Sequence, residues 1–298
     1  MKLRSSVLCF FVAAASVTAW AQQDFSKVEI TTTKVADGIY MLEGAGGNIA
    51  VSAGADGVFL IDDQYAPLTD KIRAAVKAVD EGPIRFVLNT HWHGDHTGGN
   101  ENLGESGTLI VAHDNARRQM TVGQFFEIWD RKVEPSPEGS LPVVTFSDSV
   151  TFHVNGDIIR AFHVEHAHTD GDTMVHFEQA NVLHMGDVFF NGTFPFIDVY
   201  SGGSLSGTIA GCNKALELVD GDTGIIPGHG PFGNRGDLVA YRDMLQQAHA
   251  AIAPMVRRGM SLEQIEAAEP LAPLVDAWGD GFINAEQFLG LVYMGMTN

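Results

Sequence analysis

The chain has few cysteines and no long apolar run beyond its first residues. Only Cys9 and Cys212 occur among 298 residues, which excludes a disulfide-stapled scaffold and a metal site built mainly from cysteine. If residues 1–21 are removed, Cys212 alone remains and no internal disulfide can form. The stability of the chain must therefore come mainly from a buried core, for which a hydrophobic content of 45% is sufficient.

Basic side chains are also scarce. The chain has 18 lysines and arginines against 37 aspartates and glutamates, a formal net charge of −19. An acidic surface repels phosphate backbones, and the basic residues form no run longer than a pair, as at Arg117-Arg118 and Arg257-Arg258. The composition therefore predicts a small-molecule substrate and no nucleic-acid partner.

The N-terminal segment has the pattern of an export signal. Lys2 and Arg4 precede an apolar stretch over residues 7–17, and Ala19-Trp20-Ala21 is a small-x-small cleavage site. This stretch is too short to be read first as a membrane span. We expect a signal peptide over residues 1–21, a mature N-terminus at Gln22 and export to a bacterial periplasm, without stable membrane insertion after cleavage. An uncleaved anchor is the alternative, and the intact mass of exported protein distinguishes the two.

The remainder alternates between strands and helices, as in a layered α/β domain. Strands over 49–52 and 58–61, a helix over 68–79 and a buried strand over 84–88 follow in an order that implies a parallel strand pair. Further predicted elements complete one domain over residues 22–298: a strand over 108–112, a helix over 115–131, a hairpin closed by Asn155-Gly156, strands over 174–177 and 182–185, and a helical tail from about residue 237.

The segment H-W-H-G-D-H at residues 91–96 carries most of the chemical information. It follows the predicted strand 84–88 directly, at the carboxyl end where open α/β sheets place ligands. Neutral imidazole nitrogens and carboxylate oxygens are the usual ligands of Zn²⁺ in hydrolytic sites. The segment predicts a metal site formed by His91, His93, Asp95 and His96.

Two zinc ions need more ligands than one hexapeptide offers. Three further side chains stand where a predicted strand ends and a loop begins: His168 in H-A-H-T-D-G-D, Asp187 after L-H-M-G, and His229 in P-G-H-G. His166 competes with His168 for the same place, because both lie in the same loop.

These motifs, in this order, resemble those of the metallo-β-lactamase superfamily over roughly residues 28–232. The resemblance implies a four-layer αββα sandwich with C-terminal helices. It also implies one zinc on His91, His93 and His168, a second on Asp95, His96 and His229, and Asp187 bridging the two. The histidine of this family precedes Thr or Ser, which favours His168 over His166. Asp62 matches the strand-end aspartate of the family and is expected to support the ligands from behind.

The expected activity is hydrolysis of a cyclic amide or ester carbonyl by a metal-bridging hydroxide, with Asp95 orienting the water and passing on its proton. Phe190 stands where some exported β-lactamases carry a substrate-binding lysine. We therefore expect weak β-lactamase activity and a possible role in antibiotic resistance, unless Arg235 supplies the missing cation. The loop 189–200 is either an apolar substrate wall or a core segment.

The alternatives to this expected activity are a thioester or lactone hydrolase, or a mononuclear iron oxygenase acting on thiols or persulfides.

Overall fold

A computed structural model describes residues 24–297. The predicted signal peptide and its cleavage site lie outside the described residues. Within residues 24–297, no helix combines the length and the apolar character that crossing a bilayer requires.

The first half of the chain forms a seven-stranded sheet in the order β1-β2-β3-β4-β5-β6-β9. The first four strands pair in antiparallel fashion, whereas β4, β5, β6 and β9 run parallel to one another. The parallel pair predicted from the order of elements is confirmed. The strands are β1 Thr31–Ala36, β2 Ile39–Glu43, β3 Ile49–Ser52, β4 Val58–Ile61, β5 Ile84–Leu88, β6 Leu109–His113 and β9 Val144–Phe146.

The second half forms a six-stranded sheet in the order β10 to β15. Its first hairpin turns at Asn155 and Gly156, which both have positive φ, as the predicted two-residue turn requires. The strands are β10 Ser149–Val154, β11 Asp157–Val164, β12 Asp172–Phe177, β13 Val182–His184, β14 Gly224–Ile226 and β15 Gly233–Asn234.

The two sheets pack face to face, and helices cover both outer faces. One core lies between the sheets, with Phe59 and Leu88 of the first sheet in the same cluster as Val175 and Phe177 of the second. The outer clusters join each sheet to helices. The expected αββα sandwich is confirmed. The helices are α1 Thr69–Val79, α2 Gly94–Thr97, α3 Asn100–Gly104, α4 Asp114–Met120, α5 Leu205–Leu218, α6 Arg235–Arg257, α7 Leu262–Glu266, α8 Ala272–Trp278 and α9 Ala285–Thr297.

The helix expected over residues 115–131 is wrong in its second half. Helix α4 ends at Met120, and residues 124–133 form a separate hairpin of β7 Gln124–Phe126 and β8 Arg131–Val133. Gly123 and the β-branched and aromatic residues that follow it favour extended backbone over helix. The hairpin packs its Phe126 ring 6.1 Å from the ring of His93. Tertiary packing next to the metal-ligand motif therefore overrides the helical periodicity.

Candidate metal centre

The candidate ligands come from loops at one edge of the two sheets. Strands β4 and β5 end in register, with Ile61 opposite Leu88, so the segments that follow them leave the sheet together. Segment 91–96 follows β5, residues 165–171 connect β11 to β12, and Asp187 and His229 come shortly after β13 and β14. This loop edge brings together seven side chains that lie far apart in sequence: His91, His93, Asp95, His96, His168, Asp187 and His229.

The first group consists of His91, His93, His168 and Asp187, whose candidate ligand atoms all lie within 4.8 Å of one another. His93 Nδ1 lies 3.1 Å from His91 Nε2 and 2.9 Å from His168 Nε2. Asp187 Oδ2 lies 3.8 Å from His91 Nε2 and 3.5 Å from His168 Nε2. Three imidazole nitrogens and one carboxylate oxygen thus surround one point.

The second group consists of Asp95, His96 and His229. His229 Nε2 lies 3.3 Å from Asp95 Oδ2 and 3.4 Å from His96 Nε2. The carboxylate of Asp187 reaches this group as well, with Oδ1 3.1 Å from His96 Nε2 and Oδ2 3.4 Å from His229 Nε2. Asp187 therefore stands between the two groups, where a bridging ligand would have to be.

The donor chemistry of both groups fits metal ions. An imidazole nitrogen pair can share at most one proton, yet His93 Nδ1 has two ring nitrogens at hydrogen-bond distance. The buried Asp187 Oδ1 has no hydrogen-bond partner of acceptable geometry, although His96 lies nearby. Converging nitrogen lone pairs and an unsatisfied carboxylate oxygen are what a divalent cation satisfies. The fold and these ligand groups together indicate a metal site, and the assignment of each residue as a ligand stays a prediction.

Asp62 orients two of the histidines from behind. Its Oδ2 accepts a hydrogen bond from His96 Nδ1 at 2.7 Å and another from Thr90 Oγ1 at 2.7 Å. The same Thr90 hydroxyl accepts from His91 Nδ1 at 3.0 Å. A histidine whose outer nitrogen donates keeps its other nitrogen free for a metal. The structure thus places Asp62 where the sequence predicted it.

The outer nitrogens of the other two histidines in the first group meet one short segment, residues 196–198. His168 Nδ1 donates to the carbonyl oxygen of Phe196 at 2.8 Å, and His93 Nε2 donates to Asp198 Oδ2 at 2.9 Å. Asp198 is fully buried. Sequence reasoning missed Asp198 as a functional residue. Its one local signal is that its other oxygen caps the short 3-10 helix Val199–Ser201.

Two glycines permit the close approach of the loops. A Cβ atom on Gly228 would lie 2.1 Å from Asp187 Oδ1, and one on Gly47 would lie 2.0 Å from the ring of His96. Neither position could carry a side chain without displacing a candidate ligand. The glycine that precedes His229 in P-G-H-G therefore has a packing role.

The two groups differ in their protonation without metal. Burial lowers the pKa of His91 well below its usual value and that of His168 to about 4, so both are neutral near pH 7. Burial would also lower the pKa of His96 and His229. There, however, Asp187 and Asp95 outweigh burial, raising the pKa of His96 well above its usual value and that of His229 to about 9.

This difference predicts an order of metal loading. Metal ligation requires neutral imidazole, so the second group must release protons whereas His91 and His168 need not. We expect the affinity of the second group for Zn²⁺ to rise with pH up to about 9, by as much as about tenfold per pH unit for each proton released. The affinity of the first group should depend less on pH, because burial keeps His91 and His168 neutral over this range. Calorimetric zinc titration of metal-free protein at pH 6.5 and 8.5, in two buffers of different ionisation enthalpy, measures both effects. Equal pH slopes for the two groups would contradict the expected order.

The site opens toward the second group. The side chains of His229 and Asp95 are 31% and 23% exposed, whereas those of His91, His96 and His168 are buried. Phe190 is buried and stacks on His229, with ring centroids 5.0 Å apart. Phe196 packs 5.8 Å from His93, but Phe189 and Phe194 lie in the core. The loop 189–200 therefore contributes both to the wall of the site and to the core.

Four other histidines lie outside the two ligand groups, including His166, which competed with His168. His166 is exposed and its Nδ1 meets the carbonyl oxygen of Gly202, so His168 and not His166 points into the first group. His113 and His163 stack on each other at 3.8 Å. Buried His184 contacts the carbonyl oxygen of Asn48. None of these four belongs to either ligand group among the described residues.

Comparison with known protein families gives a match that includes all seven candidate ligands. The model of the metallo-beta-lactamase superfamily matches residues 42–230, more than half of the chain. The chain is also 28% identical over 199 residues to a hydroxyacylglutathione hydrolase of Polaromonas sp. strain JS666. That match covers 64% of this chain and 65% of the relative, slightly less than two thirds of its length.

Solved structures show the same fold. A metallo-beta-lactamase from Pontibacter korlensis aligns with a TM-score of 0.61 at 19% identity, covering 73% of this chain and 99% of its own. The DIM-1 metallo-beta-lactamase aligns with a TM-score of 0.59 at 18% identity, covering 74% of this chain and 100% of its own. At these identities the likeness shows the architecture, and the substrate has to be argued from the site.

Proposed function

The chain belongs to the metallo-β-lactamase superfamily, and we propose that it is a dinuclear zinc hydrolase that cleaves an ester, thioester or cyclic amide at its carbonyl carbon. The observation that carries the proposal is the carboxylate of Asp187, which lies within 3.1–3.8 Å of nitrogens from both ligand groups. The family and the hydrolase relative both support a metal-dependent hydrolase.

The residues of the second group would act on the substrate side. Bound zinc ions would lower the pKa of water and polarise a carbonyl oxygen. Burial would raise the pKa of Asp95, but His96 and His229 outweigh it and hold that pKa below its usual range, so Asp95 stays a carboxylate at neutral pH. Because Asp95 faces the open side, its carboxylate is placed to orient an attacking water and to accept its proton.

His91, His96 and His168 are buried, whereas His229 and Asp95 are partly exposed. The acyl group must therefore enter past His229 and Asp95. The name of the hydroxyacylglutathione hydrolase relative supports an acylated thiol as one substrate class. Buried Phe190 packs on His229 and offers no positive charge to the carboxylate of a β-lactam. We place esters, thioesters and lactones first and expect β-lactam hydrolysis to be measurable but slow.

Elemental analysis of natively purified protein should give about two zinc ions per chain. A panel of nitrocefin, a lactone, S-lactoylglutathione and p-nitrophenyl esters then ranks the substrate classes under one condition. The rival reading, a mononuclear iron oxygenase, predicts one iron per chain and oxygen consumption with a thiol or persulfide. The complete second ligand group argues against it. A stable one-iron protein that hydrolyses no member of the panel would overturn the proposal.

We also propose that the protein is exported to a bacterial periplasm, because residues 1–21 have the pattern of a cleavable signal. The intact mass of protein recovered from the periplasm should correspond to a chain that begins at Gln22. Recovery of the full-length chain in the membrane fraction would show an anchored enzyme instead.

A further inference from the structure

The β7–β8 hairpin, residues 124–133, presents one face to the protein and one to solvent. In its register Phe126 pairs with Arg131 and Phe125 with Lys132. Opposite residues of an antiparallel pair lie on the same face. Phe125 and Lys132 are exposed on the outer face, whereas Gln124, Phe126 and Val133 are buried or partly buried on the inner face. Arg131 is the fourth member of the inner face, and it is exposed.

Contacts with the metal centre and its wall hold the hairpin in place. Phe126 packs 6.1 Å from His93 and stacks on Trp92. The amide of Ile128 donates to the hydroxyl of Tyr200 at 3.3 Å. Trp129, at the tip, packs 4.7 Å from Phe196. Arg131 lies opposite Phe126 on this face, so the register brings it beside the metal centre that Phe126 contacts.

Arg131 is available to bind an anion there. Within residues 24–297 it forms neither a salt bridge nor a hydrogen bond through its side chain, whereas its neighbour Lys132 pairs with Glu134 at 2.8 Å. The charge of Arg131 also acts on the pKa of partly buried Tyr65. Burial is the main cause that raises the pKa of Tyr65, Asp95 raises it further, and Arg131 opposes the rise. Tyr65 therefore lies within electrostatic range of both Asp95 and Arg131.

We propose that Arg131 binds a carboxylate of the substrate at the mouth of the site, with Trp129 contacting the apolar part of the same substrate. The inference rests on the proposed hydrolase function and narrows it to substrates that carry an anion away from the scissile carbonyl. Arg131 thus takes the place of the cation that Phe190 does not provide. An arginine suits this task because its planar guanidinium can donate two parallel hydrogen bonds to one carboxylate.

The test compares two esters that differ mainly in charge, p-nitrophenyl hemisuccinate and p-nitrophenyl butyrate, with the zinc-loaded protein. Arg131→Ala should raise KM for the hemisuccinate about tenfold, which corresponds to ~1.4 kcal/mol. KM for the butyrate and kcat for both esters should stay within about twofold. Arg131→Lys keeps the positive charge but not the two parallel donors, so it should recover only part of the loss. Added salt should raise KM for the hemisuccinate in the wild type and much less in Arg131→Ala.

Two variants serve as controls. Lys132→Ala removes an adjacent positive charge from the outer face and should leave both esters unchanged. Arg235→Ala removes the cation that the sequence suggested near His229. A hemisuccinate effect in Arg235→Ala but not in Arg131→Ala would move the subsite to Arg235 and overturn the proposal. Equal effects of Arg131→Ala on both esters would overturn it too.

Direct binding separates this inference from the proposed function. Calorimetry measures the Kd of the zinc-loaded protein for hippurate and for its neutral amide, hippuramide. Weaker hippurate binding in Arg131→Ala, with unchanged hippuramide binding, supports the anion subsite even if neither ester is hydrolysed. In that case the hydrolase proposal alone fails. Unchanged hippurate binding together with an unchanged hemisuccinate KM overturns the subsite.

Discussion

Asp187→Ala is expected to lose at least one of two bound zinc ions and to lower kcat by roughly 10³-fold, the scale of removing one preorganised electrostatic group from an active site. The carboxylate approaches His91 and His168 on one side and His96 and His229 on the other. Its removal takes a negative charge from a buried site that, under the proposal, holds two dications. Elemental analysis and steady-state kinetics on the same preparation measure both effects.

Asp187→Asn provides the matched comparison, because it keeps the shape and one carbonyl oxygen but loses the charge. We expect it to retain about one zinc per chain and an activity between those of the wild type and Asp187→Ala. Asp170→Asn is the control for an aspartate that is not a candidate ligand. Asp170 lies in the loop of His168, but its carboxylate pairs with Arg118 and belongs to neither ligand group, so Asp170→Asn should change neither zinc content nor kcat. Full zinc occupancy in Asp187→Ala would show that the two metals do not share this carboxylate.

The strands and turns of the fold could be predicted well, because short stretches of sequence determine them. Strands β3, β4 and β5 have the predicted bounds, and the Asn155-Gly156 turn closes the predicted hairpin. The candidate ligands could also be named in advance. Each lies directly after a strand or within a glycine-bearing loop, and metal-competent side chains converge when their strands end at the same edge of the two packed sheets.

The supporting groups could not be predicted to the same extent, because they depend on distant pairing. Asp198 meets His93 across 105 residues of sequence, and nothing local distinguishes it from any other aspartate that caps a turn. Asp62 was named in advance because it matches the strand-end aspartate of the family. The structure shows the strand before it in register with the strand that precedes the histidine segment.

The β7–β8 hairpin escaped prediction for a similar reason. Its residues have apolar side chains at spacings that a helix and a strand both allow, and the choice is made by packing on Trp92 and Tyr200. Phe190 shows a second limit of prediction from the sequence. The sequence has a phenylalanine at position 190. It could not show that the ring is buried against His229, where a lysine would lose the stacking contact.

Asp198→Asn is expected to weaken zinc binding at the first group by about 10–100-fold while leaving the fold nearly as stable, the usual effect of losing a group behind a metal ligand. In the wild type, Oδ2 accepts from His93 Nε2, which leaves the lone pair of His93 Nδ1 facing His91 and His168. In Asp198→Asn, the amide N–H of the asparagine would face the Nε2–H of His93, and two donors cannot form a hydrogen bond. His93 must then carry its proton on Nδ1, where it cannot bind a metal.

The other oxygen of Asp198 explains why Asp198→Asn should affect His93 and leave the loop intact. Oδ1 accepts from the amides of Tyr200 at 3.1 Å and Ser201 at 3.0 Å, and asparagine can keep both bonds with its carbonyl oxygen. Turning the amide over would set its NH₂ against these two donors at a cost of about 1–3 kcal/mol, so the orientation that disturbs His93 is favoured. Asp198→Ala removes the acceptor of His93 and both of these bonds, and should lose stability as well as zinc affinity. Chelator competition gives the zinc affinity, and denaturant unfolding of the metal-free protein gives the stability. If Asp198→Asn loses zinc affinity only in proportion to stability, or binds the first zinc as tightly as the wild type, then Asp198 supports the loop and does not set the tautomer of His93.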